Sequence, residues 1–196
     1  YFGTLALRAG PSRQALAAIR STLPHRAYVD LNWREAGPAP SVILDLLRDV
    51  HVLKLSDEEL GRLLGWLDLA GPTGMPAPGD RDAGIAALCE RTGARTLLVT
   101  HGGEGAVTWD AGGQCTARAP APPLARIVDT VGAGDAFSGM MLAGLAQGEA
   151  AEAVLEQAVA FASASCGWRG ALPADPAVYA RWRRPAHHAD SGEATA

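Results

Sequence analysis

The stretch DTVGAGDAF at residues 129–137 combines a nearly bare backbone with a carboxylate, and an apolar helical pattern follows it. A helix N-terminus carries free N–H groups and a partial positive charge. Because Gly132, Ala133 and Gly134 lack bulky side chains, an anion can approach those groups closely. Asp135 would then lie beside the anion, where it could accept a proton from an attacking alcohol. A base beside an anion hole would meet the needs of phosphoryl transfer, which depends on positioning and charge stabilisation.

Asp135 also has a simpler interpretation. Aspartate is a favoured helix N-cap, and glycine-rich turns precede many helices. The stretch also differs from the GxxxxGK[ST] phosphate loop. The pattern alone therefore leaves both capping and catalysis open for this residue.

Strands alternate with helices along the chain, which predicts a three-layer α/β/α fold with a mostly parallel sheet. Strands are expected in residues 1–8, 25–32, 51–55 and 95–100, with a hairpin of 105–110 and 114–119 around Ala111-Gly112-Gly113. Helices are expected in 12–22 with a Ser12 cap, 41–50 with a Ser41 cap, 56–67, 80–93 and 149–165, and after Asp135.

The loops that follow these strands are the candidate site. In parallel sheets, ligands gather at the carboxyl ends of the strands. Residues 30–34, 54–59, 100–105 and 129–135 should therefore lie together. Within the second of these loops, Ser56 and Glu59 have the spacing of a capping box.

Composition excludes several other classes of protein. The chain has 196 residues, 48% of them hydrophobic, which is typical of one globular domain, here taken as 1–185. The net charge is −4 and no basic stripe is present, so nucleic acid is not an expected partner. No apolar run approaches membrane-spanning length, and no signal peptide is visible. The polar residues 186–196 are expected to be a disordered tail.

Cysteine and lysine usage give two further expectations. The three cysteines are far apart and lack metal-ligand spacing, which indicates free, mostly buried thiols in a reducing, cytoplasmic compartment. Lys54 is the only lysine. It is interpreted as a surface residue at a strand end rather than as a phosphate ligand.

DTVGAGDAF closely resembles DTxGAGDxF, the second signature of the PfkB (ribokinase-like) family of carbohydrate kinases. The resemblance implies that Asp135 is the catalytic base for a sugar hydroxyl. It also implies that the backbone of Gly132, Ala133 and Gly134 forms the anion hole.

Two more segments resemble family motifs in the same order. DLNWR at 30–34 resembles D-P-N-x-R, with leucine in place of proline, which implies that Asn32 and Arg34 contact the substrate. VLKLSDEEL at 52–60 resembles the N-x-x-E segment, with Ser56 in place of asparagine. This implies that Ser56 and Glu59 help to place nucleotide and metal, with Glu59 acting on Mg²⁺ through water. The capping box and this role can hold together.

Two later segments, 99–107 and 168–173, resemble family segments that lie beside the nucleotide. VTHGGEGAV at 99–107 resembles v-T-x-G-x-x-G-a, although a plain strand–turn–strand would give the same pattern. WRGALP at 168–173 resembles a family stretch beside the adenine and monovalent-cation sites, which implies that Asp129 and Gly170 border such a cation. The nucleotide-lining residues implied by these two segments are Thr100, His101, Gly102, Gly103, Gly105 and Gly170.

The resemblance runs from Phe2 to Pro173 but covers only the later part of the family fold. The first family signature, the early strands and the lid over the sugar have no counterpart, so this chain is expected to be a fragment with the nucleotide side and the base. The expected function is ATP-dependent phosphorylation of a sugar, fructokinase-like, with ATP, Mg²⁺ and a candidate K⁺ ion, and with a homodimer in the full-length protein.

Three alternatives remain open at this point. One is a 2-keto-3-deoxygluconate or nucleoside kinase of the same family. Another is a non-catalytic relative that binds nucleotide or sugar in a regulatory role. The third is a nucleotide-binding α/β domain of an unrelated enzyme.

Overall fold

A five-stranded sheet forms the centre of the first part of the chain. The computed structural model describes residues 1–33, 37–67 and 78–183. The strands lie in the order β1 to β5, with β1 to β3 parallel and β4 and β5 each antiparallel to the strand before it. Four strands therefore run in one direction, which confirms an α/β fold with a mostly parallel sheet. Their bounds are β1 Tyr28–Asp30, β2 Val52–Ser56, β3 Thr96–Thr100, β4 Ala106–Asp110 and β5 Cys115–Ala119.

Helices occupy most of the remaining described chain. Within the described ranges, none is long and apolar enough to cross a membrane. Short 3-10 helices cover Thr4–Leu7, Gly102–Glu104 and Pro176–Trp182. The α-helices are α1 Gly10–Thr22, α2 Pro40–Leu46, α3 Asp57–Trp66, α4 Pro78–Thr92, α5 Ala133–Ala146 and α6 Ala151–Ser165.

The chain divides into two compact units, Tyr1–Pro122 and Pro123–Ala196. The first unit contains the sheet and α1 to α4, and leucine, isoleucine and valine side chains from both dominate its core. In the second unit α5 packs on α6. A Cβ atom at Gly144 would lie 2.4 Å from Cγ2 of Val154, so a glycine is needed for this close helix contact. The single domain 1–185 stays a prediction, and the tail 186–196 lies outside the described residues.

The predicted strand at residues 1–8 is wrong. Phe2 forms only an isolated bridge with Val29, and a 3-10 helix follows at Thr4–Leu7. The N–H group of Thr4 donates to the carbonyl of Leu31, and its hydroxyl donates to the carbonyl of Asn32 at 2.9 Å. Because these bonds fix the chain at the end of β1, it turns instead of continuing along the sheet.

The predicted caps at Ser12 and Ser41 are also wrong. Helix α1 has Ala9 as its N-cap and α2 has Ala39, and neither makes a side-chain capping bond. A proline lies in the first two helical positions of both helices, which is a start signal in its own right.

The hairpin and the end of α4 agree with the sequence. Asp110 Oδ1 accepts the N–H groups of Gly112 and Gln114, and Gly113 has φ +77°. Gly93, directly after α4, has φ +72°. The three cysteines are free as expected, but only Cys89 is buried, while Cys115 is exposed and Cys166 is intermediate.

Candidate functional site

The carboxyl ends of β1, β2 and β3 bring several predicted residues together. Asp30 is paired in register with Lys54, and Ser56 with Thr100. Nζ of Lys54 donates to Oδ2 of Asp30 at 2.7 Å, and the two side chains are only 8% and 6% exposed. The interpretation of Lys54 as a surface residue is therefore wrong. Its ammonium group is held inside the sheet by a buried carboxylate, a pairing that sequence spacing alone does not reveal.

Glu59 ties the loop after β1 to the start of α3. Ser56 Oγ accepts the N–H of Glu59 at 3.1 Å, and Glu59 Oε2 accepts the N–H of Ser56 at 2.8 Å, which confirms the capping box. The other oxygen, Oε1, accepts the N–H of Trp33 at 2.5 Å. The loops at 30–34 and 54–59 therefore meet, as the sequence predicts.

Trp33 makes contacts that the sequence analysis missed. Its ring lies 5.7 Å from that of Trp66, and the guanidinium of Arg62 lies 4.2 Å from its ring centroid. Asn32 is exposed, with φ +43°. The available signal was the spacing of Glu59, Arg62 and Trp66, which places them along one side of α3. Arg34 lies outside the described residues.

The segment 100–105 forms a tight turn. Thr100 Oγ1 donates to the carbonyl of Leu55 at 3.4 Å, and the N–H of His101 donates to the carbonyl of Gly105 at 2.8 Å. Gly105 is buried with φ +109°, and a Cβ atom there would lie 2.0 Å from the carbonyl oxygen of Ala119. Only glycine fits this position.

The same turn exposes backbone beside α3. Gly102 and Gly103 are exposed. His101 Nδ1 lies 3.4 Å from Oδ1 of Asp57, the first residue of α3. This loop therefore meets the loop at 54–59, as predicted.

The start of α5 lies in the second unit. Gly132 is the N-cap with φ +85°, and no side chain caps the helix. Asp135 is the third residue of α5 and is exposed. The interpretation of Asp135 as the N-cap is therefore wrong. The N–H of Ala133 donates to the carbonyl of Thr130 at 3.2 Å, so this member of the predicted anion hole is already used. Within the described part of this unit, the N–H groups of Gly134 and Asp135 have no acceptor, as expected for a first helical turn.

Asp129 holds the approach to α5 in place. Its Oδ1 accepts the N–H of Val131 at 3.0 Å, and its Oδ2 accepts the N–H of Gly170 at 2.9 Å. The N–H of Val128 donates to the carbonyl of Cys166, just after α6. The bonds from Val131 and Gly170 lower the pKa of the Asp129 carboxyl group below its usual value. Asp129 and Gly170 therefore lie together, as the sequence predicts.

Glu59 has the acceptor capacity that the predicted indirect metal role needs. No three His, Cys, Asp or Glu side chains cluster as a metal site among the residues described. Each oxygen of Glu59 accepts one N–H and keeps further acceptor capacity, so water molecules of hydrated Mg²⁺ can bind there. The free N–H groups at the start of α5 suit phosphate oxygens.

Comparison with known proteins gives a family match over most of the chain. The pfkB family carbohydrate kinase model matches residues 2–177. A fructokinase from Salmonella thompson is 36% identical over 152 residues, which cover 73% of this chain and 62% of the relative. A ribokinase from Arabidopsis thaliana is 30% identical over 140 residues, which cover 71% of this chain and 34% of the relative. The chain thus spans only part of the length of each relative.

Solved structures have the same fold. The structure of Arabidopsis thaliana ribokinase complexed with ribose and ATP matches with a TM-score of 0.60 and 26% identity, covering 80% of this chain and 46% of that one. Fructokinase with bound ATP from Xylella fastidiosa matches with a TM-score of 0.70 and 22% identity, covering 86% and 55%. The fold is therefore ribokinase-like.

The family match includes all four loops of the candidate site. It confirms the resemblance found in the sequence, and it overturns the alternative of a nucleotide-binding domain from an unrelated enzyme. The chain belongs to the pfkB family of carbohydrate kinases.

Proposed function

We propose that the protein transfers a phosphoryl group from ATP to a sugar hydroxyl, with fructose as the favoured acceptor. Family membership supports the reaction class, and the fructokinase relative supports the choice of sugar. The proposal concerns the whole protein, because this chain spans 62% and 34% of the two relatives. A homodimer is part of the proposal, as is a cytoplasmic location, which the free cysteines favour.

The observation that carries the proposal is the start of α5. An exposed carboxylate, Asp135, lies in the same helical turn as two free N–H groups. In the proposed reaction Asp135 takes the proton of the sugar hydroxyl while that oxygen bonds to the terminal phosphorus of ATP. The bond between this phosphorus and the ADP oxygen breaks. The N–H groups of Gly134 and Asp135 stabilise the negative charge on the transferring group.

The remaining site residues are assigned to binding. Asn32 and Arg34 contact the sugar. Glu59 holds water molecules of Mg²⁺, which when bound neutralises phosphate charge. Asp129 and Gly170 border a monovalent cation, with K⁺ as the candidate. The residues proposed to line the nucleotide are Ser56, Thr100, His101, Gly102, Gly103, Gly105 and Gly170.

Replacing Asp135 with asparagine tests the proposal. The amide keeps the size of the carboxylate side chain but cannot accept the proton. Since general base catalysis contributes about 10²- to 10⁴-fold, we expect the kcat of the full-length Asp135→Asn protein to fall by about that factor. The affinity for ATP, measured by calorimetry, should remain within about threefold of wild type, because the N–H groups are unchanged.

The matched control is Asp175→Asn. Asp175 is exposed and caps the 3-10 helix Pro176–Trp182 in the same unit. This variant makes the same chemical change at another helix start and should keep wild-type kcat. A kcat for Asp135→Asn within a few-fold of wild type would refute the assignment of Asp135 as the base.

A further inference from the structure

Helix α3 contacts Trp33 in three different ways. Glu59 accepts the backbone N–H of Trp33, Arg62 lies over its ring, and the ring of Trp66 packs at an angle of 45° to it. The three residues of α3 follow at spacings of three and four, so they line one side of the helix. We call these contacts the Trp33 clamp.

The clamp fixes the backbone next to Asn32. Asn32 has φ +43°, in the left-handed region that side chains seldom adopt, although asparagine tolerates it better than most residues. Such a conformation persists when its surroundings hold it. The hydroxyl of Thr4 holds the carbonyl of Asn32 on one side, and the clamp holds Trp33 on the other.

The clamp has features of a positioning device rather than of the core. Trp33 and Trp66 are only partly buried, and Arg62 is exposed. Its guanidinium makes no described salt bridge, and its described contact is with the indole ring, which attracts cations. The attraction between this guanidinium and the Trp33 ring favours one orientation of the ring.

We propose that the Trp33 clamp positions Asn32, and that Trp33, Arg62 and Trp66 thereby set the affinity of the sugar site. The three residues act through Asn32 and are positioning residues. This inference rests on the proposed function, because it takes Asn32 as a sugar contact. When the clamp is loosened, Asn32 has to be ordered at the moment the sugar binds, and this cost should raise the KM for sugar.

The test uses the full-length protein with the Arg62→Met and Trp66→Leu variants. Both changes keep apolar bulk on an exposed or partly buried side of α3 and should allow folding. We expect each to raise the KM for the preferred sugar by about three- to fivefold, while kcat and the KM for ATP stay within about 1.5-fold, the pattern of lost ground-state binding. Arg62→Lys keeps a cation over the ring. In this variant, at least half of the rise in log KM for sugar seen with Arg62→Met should be reversed.

Arg91→Met is the matched control. Arg91 is an exposed arginine in the last turn of α4, with no described aromatic contact, and its replacement should leave every constant unchanged. Equal KM values for sugar in wild type, Arg62→Met and Trp66→Leu would overturn the clamp while leaving the proposed function standing. A parallel rise in the KM for ATP, with a lower Tm, would also overturn the clamp, because the variants would then have lost folded structure in general and not sugar binding alone. Absence of sugar phosphorylation by wild type would overturn the proposed function and the clamp together.

Discussion

Gly132 is the residue on which the backbone before Asp135 depends most directly. Its φ is +85°, and a Cβ atom there would lie 2.7 Å from both Cα and Cβ of Ala171. Glycine is therefore required both by the left-handed backbone and by the close approach of another chain segment. The exposed N–H groups of the following helical turn depend on this conformation.

We expect Gly132→Ala to destabilise the protein by at least about 2 kcal/mol, because it adds left-handed strain to a steric clash. Urea denaturation measures this loss, and the affinity for ATP should fall with it. Gly139→Ala is the control on the same helix. A Cβ atom at Gly139 meets nothing within 4 Å, so that variant should be neutral or slightly stabilising. Equal stabilities of the two variants would contradict this account of Gly132.

The carboxyl group of Asp129 gives a prediction on pH. Hydrogen bonds from the N–H groups of Val131 and Gly170 lower its pKa in the folded state. A lowered folded pKa means that this stabilisation is present above the unfolded value of about 3.9 and is lost as the pH falls through the folded pKa. Urea denaturation of wild type and Asp129→Asn should therefore give a constant difference in free energy of unfolding from about pH 5 to 7. The difference should shrink below about pH 4. A difference that does not depend on pH would exclude the ionised carboxylate as its source.

The buried pair of Lys54 and Asp30 joins β1 to β2. Removing one partner of a buried ion pair leaves an uncompensated charge, which typically costs about 3–5 kcal/mol. We therefore expect Lys54→Met to lower the free energy of unfolding by about 3 kcal/mol in urea denaturation. The double variant with Asp30→Asn should lose less than the sum of the two single variants.

The control for the pair is Arg48→Met. Arg48 forms an ion pair with Asp45, but both side chains are more than two thirds exposed, at 74% and 70%. The free energy of unfolding of Arg48→Met should stay within about 0.5 kcal/mol of the wild-type value. Additive losses at Lys54 and Asp30 would show that the two charges do not depend on each other.

Elements with a local signal could be predicted from the sequence. The capping box of Ser56 and Glu59 joins residues three apart, and the hairpin is set by the glycines between its strands. The first strand was wrong because alternation alone does not reveal that Thr4 is held by Leu31 and Asn32, nearly thirty residues later. The Ser12 and Ser41 caps were wrong because the prolines beside them set the helix starts.

In the candidate site, too, features formed by adjoining residues could be predicted, and features formed by residues far apart in sequence could not. The DTVGAGDAF stretch is contiguous, so the presence of a helix start there follows from residues that adjoin in sequence, although the helix begins at Ala133 and not after an Asp135 cap. The pairing of Lys54 with Asp30 and the clamp on Trp33 join residues more than twenty positions apart. Such contacts depend on strand order and helix packing, which a single sequence does not specify.

At the scale of the whole molecule, family membership rests on a match to most of this chain, whereas the activity is proposed for a longer protein. The family match covers residues 2–177, whereas the chain spans 62% of the fructokinase relative and 34% of the ribokinase relative. Sugar phosphorylation is therefore a property to be measured on the full-length protein.

An ADP-release assay tests the central claim most directly. The full-length protein would be incubated with ATP, Mg²⁺ and K⁺ and, in turn, with fructose, 2-keto-3-deoxygluconate, ribose and adenosine. We predict release of ADP with a sugar, with the highest kcat/KM for fructose, and its loss in the Asp135→Asn variant. Preference for 2-keto-3-deoxygluconate or adenosine would replace fructose as the substrate within the same family. Clear binding of ATP with no ADP release on any acceptor would contradict the account and favour a regulatory relative.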